Sequence, residues 1–385
     1  MKKVLLYGWY NSSNLGDDAI LLIVYDYLRS KNIDCDIISS DNGKNYFNIR
    51  DKYNFSYIKD PLSITKVIKN KYLRRILKLY NFVHIILVKD KNVLEDYDSI
   101  IFIGGGYVND IWIRELIRIF FIITLAKISN KKVIFTGQTI GPFDKFISKS
   151  LAKKFLKKSD LILVREKFSL KLLNELKLKN VKISSDDIYL YNKEISNNSG
   201  DYIIINLKEF PGYDINIMDK FIKLLVLINK KLNYKLVFIP FGINDGPKDL
   251  KYINMYMKKL KKHNILSELY ITDNLDNLFN EFANARLTLG MAYHSVTISL
   301  FTNTPAYSIY RGDYYKNKIL GVLSHYELES NALNFENIDD DKLVSFANYI
   351  ISTHNNEKYL TNIKNKTENL KKLCNKNWES IINKI

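Results

Sequence analysis

The stretch Leu289-Gly-Met-Ala-Tyr-His294-Ser places an imidazole between two apolar segments. Ala285 to Leu289 reads as a buried strand, Gly290 as the turn at its end, and Ser295 to Phe301 as a helix whose first turn carries His294. Parallel α/β proteins bind ligands just outside the carboxyl ends of their strands. A helix start there offers unsatisfied N–H groups and a partial positive charge to an anion. At such a place His294 either serves a ligand or caps and packs against its own turn, and its type alone does not choose. A second candidate is Asp17-Asp18, which follows Gly8 and a Gly/Asn/Ser-rich turn ending at Gly16, at the start of a helix from Ala19 to Ser30. Carboxylates favour the helix dipole at that position. Capping explains one acid; two adjacent acids beside two glycines leave a role in a site open.

Two more strand ends carry glycine. Ser99 to Ile103 opens into Gly104-Gly105-Gly106-Tyr-Val-Asn-Asp110, and Val133 to Thr136 ends in Gly137-Gln138-Thr-Ile-Gly141-Pro142. Glycine at such a point permits close approach of the backbone to a ligand, or positive φ. Neither turn has the spacing of a dinucleotide fingerprint.

The elements that must hold these residues alternate strand and helix, the pattern of an α/β fold. Val4 to Tyr7, Ile33 to Ser39, Ser99 to Ile103, Val133 to Thr136, Leu161 to Val164 and Ile183 to Ser185 read as strands of a first series. Asn192 to Gly200 is polar and turn-rich, which suits a linker. A second series has strands at Tyr202 to Asn206, Leu236 to Pro240, Leu269 to Ile271, the stretch ending at Leu289, and Ala306 to Ile309. Helices at Asp339 to Ser352 and Glu357 to Ile385 close the chain. The expected organisation is a first domain over 1–195, a second over 200–345, and closing helices over 346–385. Ile64 to Val88, after Asp60-Pro61, reads as a long helix with a basic face of Lys66, Lys69, Lys71, Arg74, Arg75 and Lys78. Such a face is usually solvated, and it also suits an anionic bilayer surface.

At 385 residues the chain exceeds what one core usually supports. Its net charge of +17 suits anionic partners, but no zinc-knuckle spacing, RNP-like strand or basic arm accompanies it, which argues against nucleic acid. Cys35 and Cys374, far apart, give neither a disulfide framework nor a metal site and fit a reducing cytosol. Met1-Lys-Lys-Val-Leu-Leu-Tyr-Gly8 is too short in its apolar part for a signal peptide and reads as a first strand. No apolar run reaches the roughly 18 residues of a spanning helix. No metal-ligand cluster is evident, so no metal dependence is expected.

Taken together, Asn14-Leu-Gly16-Asp17-Asp18, Gly104-Gly-Gly-Tyr-Val-Asn-Asp110, Gly137-Gln-Thr-Ile-Gly-Pro142, Arg165-Glu-Lys-Phe-Ser169 and Gly290-Met-Ala-Tyr-His-Ser295 stand in the order and spacing of the polysaccharide pyruvyl transferase family. The resemblance runs from about residue 4 to about residue 325. It implies two Rossmann-like domains facing across a cleft, the GT-B arrangement, with the C-terminal helices crossing back to the first domain. It also implies transfer of a pyruvyl group from phosphoenolpyruvate, as co-substrate and without another cofactor, to a sugar hydroxyl of a cell-surface polysaccharide or its lipid-linked precursor.

On that resemblance His294 is the general acid or a phosphate partner, and Asp17 or Asp18 positions or deprotonates the acceptor. Lys208, Gly290, Tyr293, Ser295 and Arg311 fall on the donor side, in the second domain. Asn14, Gly16, Gly104, Gly105, Gly106, Asp110, Gln138, Gly141 and Arg165 line the cleft, with the first domain on the acceptor side. Two positions depart from the family pattern. Ala292 stands where an arginine is usual, and Asn206-Leu-Lys208 stands where a Ser-x-Arg segment is usual. Lysine lacks the bidentate fork that suits carboxylate and phosphate. Arg311, Lys316 and Lys318 are the cations that could substitute. The departures keep two alternatives in view: a GT-B glycosyltransferase using a nucleotide-activated sugar, and a non-catalytic glycan-binding member. The expected partner is a glycan or polyprenyl-phosphate-linked oligosaccharide. The expected location is cytoplasmic, with contact to an anionic membrane at its inner face as a secondary expectation.

Overall fold

Short runs of β-branched and aromatic residues, each bounded by polar turns, form two parallel sheets in this computed structural model. The structure describes residues 2–10, 14–39, 57–59, 94–196, 200–208, 215–242 and 248–385. The Ile64 to Val88 reading lies outside them, as do residues 197–199 of the expected linker.

The chain divides into two compact units. The first comprises residues 1–12, 17–190 and 373–385. Its strands are β1 (Lys3–Tyr7), β2 (Asp34–Ser39), β3 (Tyr57–Lys59), β4 (Ser99–Phe102), β5 (Gly105–Val108), β6 (Lys132–Ile140), β7 (Leu161–Val164) and β8 (Val181–Ile183). They order as β3-β2-β1-β4-β6-β7-β8, with β5 also beside β6. The order reverses between β1 and β4, whose register sets Tyr7 opposite Phe102. Helices α1 (Leu15–Ser30), α2 (Ile113–Ile128), α3 (Phe146–Leu156) and α4 (Lys167–Glu175) follow in order. The core holds Leu5, Ile100, Phe102, Val133, Phe135 and Ile162 from the strands, with Leu116, Ile119, Ile123, Phe155 and Leu173 from the helices. Continuous apolar strands of this kind are what a parallel sheet covered on both faces requires.

The second unit comprises residues 13–16 and 191–372. Its strands β9 (Tyr202–Asn206), β10 (Lys235–Phe238), β11 (Ser267–Leu269), β12 (Leu287–Gly290), β13 (Ala306–Tyr310) and β14 (Ala332–Asn334) order as β11-β10-β9-β12-β13-β14. Here the reversal falls between β9 and β12. Helices α5 (Ile215–Leu232), α6 (Lys248–Lys261), α7 (Leu275–Asn284), α8 (Tyr293–Phe301), α9 (Asp313–Ser324), α10 (Asp340–Thr353) and α11 (Glu357–Ile382) complete the described chain. Asn274 and Asp339 start α7 and α10 by accepting from the N–H groups of Asn277 and Lys342, each three residues on. Helix α11 begins in the second unit, and its last turns, from Leu373, belong to the first.

Several local readings change. Strand β6 does not stop at Thr136 but runs through Gly137 to Ile140, and Gly105 and Gly106 lie within β5 rather than in a turn. Gly290 is the last residue of β12, not the turn after it. The strands expected at Leu269 to Ile271 and Ile183 to Ser185 sit about two residues earlier, at β11 and β8. Helix α3, with three lysines, and helix α9, with two tyrosines and two lysines, are not expected from the sequence.

Candidate active site

In the second unit the chemistry-bearing stretch lies at the reversal of strand order. Gly290 at the end of β12 pairs in register with Asn206 at the end of β9. Ligands of open α/β sheets bind outside the strand ends at such a point. The Asn206 side chain locks the turn. Its Oδ1 accepts from the Ala292 N–H at 2.8 Å, while its Nδ2 donates to the Ile239 carbonyl at 2.9 Å. Met291 N–H donates to the Asn206 carbonyl, and the Ser308 hydroxyl donates to the Gly290 carbonyl. Ala292 is then the residue before α8 and caps it with no side chain. Ser295 donates from its hydroxyl back to the Ala292 carbonyl at 2.7 Å.

His294 is 4% exposed and its ring meets that of Tyr293 edge-on, 5.1 Å between centroids. Gly16 packs directly on the imidazole. A Cβ built there would lie 2.2 Å from His294 Cγ, so no side chain is possible without moving the ring. Gly16 is held in place by its neighbours in this unit: Leu15 N–H donates to the Phe241 carbonyl, and Asn14 bridges to Gly242 while its Oδ1 accepts from Gly16 N–H. Gly16 of one matched motif thus meets the imidazole of another. Asp17 and Asp18 follow in the first turn of α1; both are buried.

Lys318 and Lys208 are among the lysines that lie over aromatic rings of the same unit. Lys318 Nζ lies 5.5 Å from the Tyr293 ring centroid and 5.2 Å from that of Tyr314, and Lys208 Nζ lies 5.3 Å from that of Tyr315. Lys208 N–H also contacts Met291 Sδ. Arg311 is half-buried at the end of β13, before Gly312 and α9. Lys316, the third proposed substitute, is exposed. The arrangement combines a buried imidazole, a helix start and flanking ammonium groups, which suits an anionic ligand beside a group able to move a proton.

The first unit's glycine-bearing strand ends converge on Asp187, a carboxylate the sequence reading passed over. Its Oδ2 accepts from Gly104 N–H at 2.9 Å and the Thr136 hydroxyl at 2.6 Å, and its Oδ1 from the Trp378 indole N–H at 2.9 Å. Burial pushes its carboxyl up from 3.8 to about 6, against the pull of those donors. Gly137 has φ of +51 at the irregularity of β6, and a Cβ there would press on Asp187 at 3.1 Å. Gly104 is similarly close to Asp187 Oδ2, 3.0 Å from a built Cβ. The close approach expected of these glycines is therefore to an internal carboxylate. Two adjacent acids after an apolar strand, Asp186-Asp187, are the signal that could have found it, since the same signal singled out Asp17-Asp18.

Arg165 is fully buried. It donates from Nη1 to Asp186 at 2.5 Å, and from Nε to Thr139 at 2.8 Å and Glu166 at 3.1 Å. Gln138 is buried, with its amide donating to the Phe102 and Ile103 carbonyls and to the Tyr107 hydroxyl. Gly141, at φ of +89, lies where a Cβ would strike Leu172. Asp110 accepts through Oδ2 from Asp144 N–H, Lys145 N–H and the Ser148 hydroxyl, fastening the start of α3. These side chains hold the first unit's loops in shape. Among the described residues no cluster of His, Cys, Asp or Glu could hold a metal ion, and no helix is long and apolar enough to cross a membrane.

Comparison with known proteins adds to this geometry. The polysaccharide pyruvyl transferase family model matches residues 14–314. The amylovoran biosynthesis protein AmsJ of Erwinia amylovora is 23% identical over 394 residues, covering 91% of this chain and 92% of that one. Among solved structures, Anabaena HepE in complex with UDP superposes with a TM-score of 0.62 at 10% identity over 100% of both chains. MnaA of S. aureus with UDP gives 0.60 at 14% identity, over 94% of this chain and 90% of that one. These likenesses show the fold: two Rossmann-like domains of the kind found in GT-B glycosyltransferases and related epimerases.

Proposed function

The chain belongs to the polysaccharide pyruvyl transferase family, polysaccharide-modifying transferases, and on that premise we propose that it moves a pyruvyl group from phosphoenolpyruvate to a sugar hydroxyl of a cell-surface polysaccharide or its lipid-linked precursor. One observation carries the reading: the imidazole of His294, under the Gly16 backbone, stands at the start of α8 on the strand-order reversal, with Lys208 and Lys318 on nearby rings. A donor with a phosphate and a carboxylate needs cationic and N–H partners, which this end of the sheet supplies. In the reaction C3 of the enol gains a proton as positive charge develops at C2. Acceptor oxygens bond to C2, the C2–O bond to phosphate breaks, and the acceptor hydroxyls give up their protons. His294 supplies the C3 proton or holds the departing phosphate, while Asp17 or Asp18 takes the acceptor proton. The second unit is the donor side and the first the acceptor side. A lipid-linked acceptor would bring the enzyme to the inner face of the membrane.

Ala292 favours a second reading. Its methyl group supplies no cation at the residue before α8, and HepE and MnaA are both in complex with UDP. A nucleotide-activated sugar on the same frame is therefore the competing donor. Incubation with an acceptor glycan and either phosphoenolpyruvate or nucleotide sugars separates the two. Acceptor-dependent phosphate release from phosphoenolpyruvate is expected, with thermal stabilisation by that donor. Turnover with a nucleotide sugar alone would replace the reading. Glycan binding with neither turnover would make the protein a binding member.

A further inference from the structure

On the first unit a group of large apolar side chains faces solvent at the beginnings of α2 and α3. Phe146 is 84% exposed and Ile147 78%, and Ile111, Trp112, Ile113 and Ile117 are each about half exposed. Exposed apolar residues scattered singly need no explanation, but a contiguous group of this size marks an interaction surface. Here contiguity is enforced. Asp110 Oδ2 accepts from Asp144 N–H at 2.7 Å, Lys145 N–H at 3.0 Å and the Ser148 hydroxyl at 3.1 Å, clasping the Ile111 segment to the Phe146 segment. On the other side Asn109 Oδ1 accepts from the N–H groups of Ile111 and Trp112. Trp112 is further held edge-on against Trp9, 4.8 Å between centroids. The apolar side chains are thus presented on a braced backbone.

The surrounding charge selects the occupant. Arg114 and Lys145 are exposed within the group beside one exposed acid, Asp144, and α3 continues with Lys149, Lys153 and Lys154 and has no acid of its own. In α2 the sole carboxylate, Glu115, is buried and accepts from Tyr7 and from Arg118. Aromatic and branched aliphatic residues fringed by lysine and arginine suit the boundary between anionic headgroups and acyl chains. The chain as a whole carries +17.

We propose that Ile111, Trp112, Ile113, Ile117, Phe146 and Ile147, with Arg114 and Lys145, form the surface by which this protein seats on an anionic bilayer. The inference deepens the reading of a lipid-linked acceptor by naming the surface, and its test uses no donor or acceptor, so its failure is distinguishable from failure of that reading.

The test is co-sedimentation of the full chain with vesicles of phosphatidylglycerol and phosphatidylcholine, compared with phosphatidylcholine alone. Wild type binds the anionic vesicles, and added salt weakens the binding without abolishing it, since the apolar contribution is unscreened. The Phe146→Glu/Ile147→Glu variant loses about tenfold or more of that binding, because it removes apolar side chains and adds repulsion. Both side chains are exposed, so its melting temperature stays at the wild-type value; if the glutamates impair folding, Phe146→Ser/Ile147→Ser replaces them. Arg114→Glu/Lys145→Glu loses affinity chiefly at low salt. Absence of wild-type binding, or equal binding by the double variant, overturns the proposal. So does a wild-type dimer that the double variant converts to a monomer, which would show that the face pairs two copies of this chain.

Discussion

Each unit reverses its strand order once, and each places glycine near the reversal, yet the two places are built differently. In the first unit Gly104, Thr136 and the Trp378 indole all donate to one buried carboxylate, Asp187, and the adjoining Asp186 is taken by Arg165. Polar groups there are satisfied by one another. In the second unit the Asn206 amide fastens the backbone of the turn, the Gly16 backbone lies on an imidazole, and the ammonium groups of Lys208 and Lys318 lie over aromatic rings. The contrast teaches that glycine at a strand end marks crowding, and that the neighbours decide whether the crowding serves the fold or a ligand.

The largest effect on stability is expected in the first unit. Arg165→Met leaves Asp186 and Glu166 buried with their cation removed and should destabilise by about 3–5 kcal/mol in denaturant titration. A loss under 1 kcal/mol would mean that the cluster is not structural. Gly16→Ala probes the other side of the contrast. Its Cβ overlaps the imidazole, so a cost of about 1–3 kcal/mol for overpacking should come with loss of turnover. Full activity in that variant would deny that the imidazole must lie where it does.

Asp187→Asn should cost about 1–3 kcal/mol, because an amide cannot accept from both the indole and the hydroxyl side. It should also change the pH profile. A carboxyl raised from 3.8 to about 6 on folding binds its proton more tightly when folded. The folded state then holds more protons than the unfolded between those values. The Asp187 contribution is present below pH about 4 and is lost as pH rises through about 6. Wild type should therefore lose more stability than Asp187→Asn between pH 4 and 6 when the two are unfolded in parallel. Parallel curves would contradict the assignment. The smallest effect is expected at Lys318→Met, which should raise the KM for phosphoenolpyruvate about tenfold, with little change in kcat or melting temperature, if its ammonium meets the donor. An unchanged KM would remove Lys318 from the donor side.

Much of the frame was legible because its strands are continuous apolar runs: β7 and β9 occupy the residues their composition marks, and α10 and α11 depart by three residues or fewer at either end. Helix α3 was not, because its Phe146 and Ile147 face solvent beside exposed Ser150, Lys153 and Lys154, which erases the usual apolar stripe. The strand through Gly137 was cut short because glycine reads as a stop, whereas here positive φ makes an irregularity inside β6. The place of His294, after a strand and in the first turn of a helix, was legible. The Asp187 cluster was not: its partners come from residues 104, 136 and 378, a juxtaposition that only the fold creates. The contact of Gly16 with His294 was invisible for the same reason, although both residues had been singled out.

The central claim is that the imidazole in the second unit is a working group and not packing. Acceptor-dependent phosphate release from phosphoenolpyruvate by His294→Ala, with melting temperature measured beside it, tests this directly. The account predicts turnover reduced about 10²–10⁴-fold in a protein that remains folded. Wild-type turnover in the folded variant would contradict it.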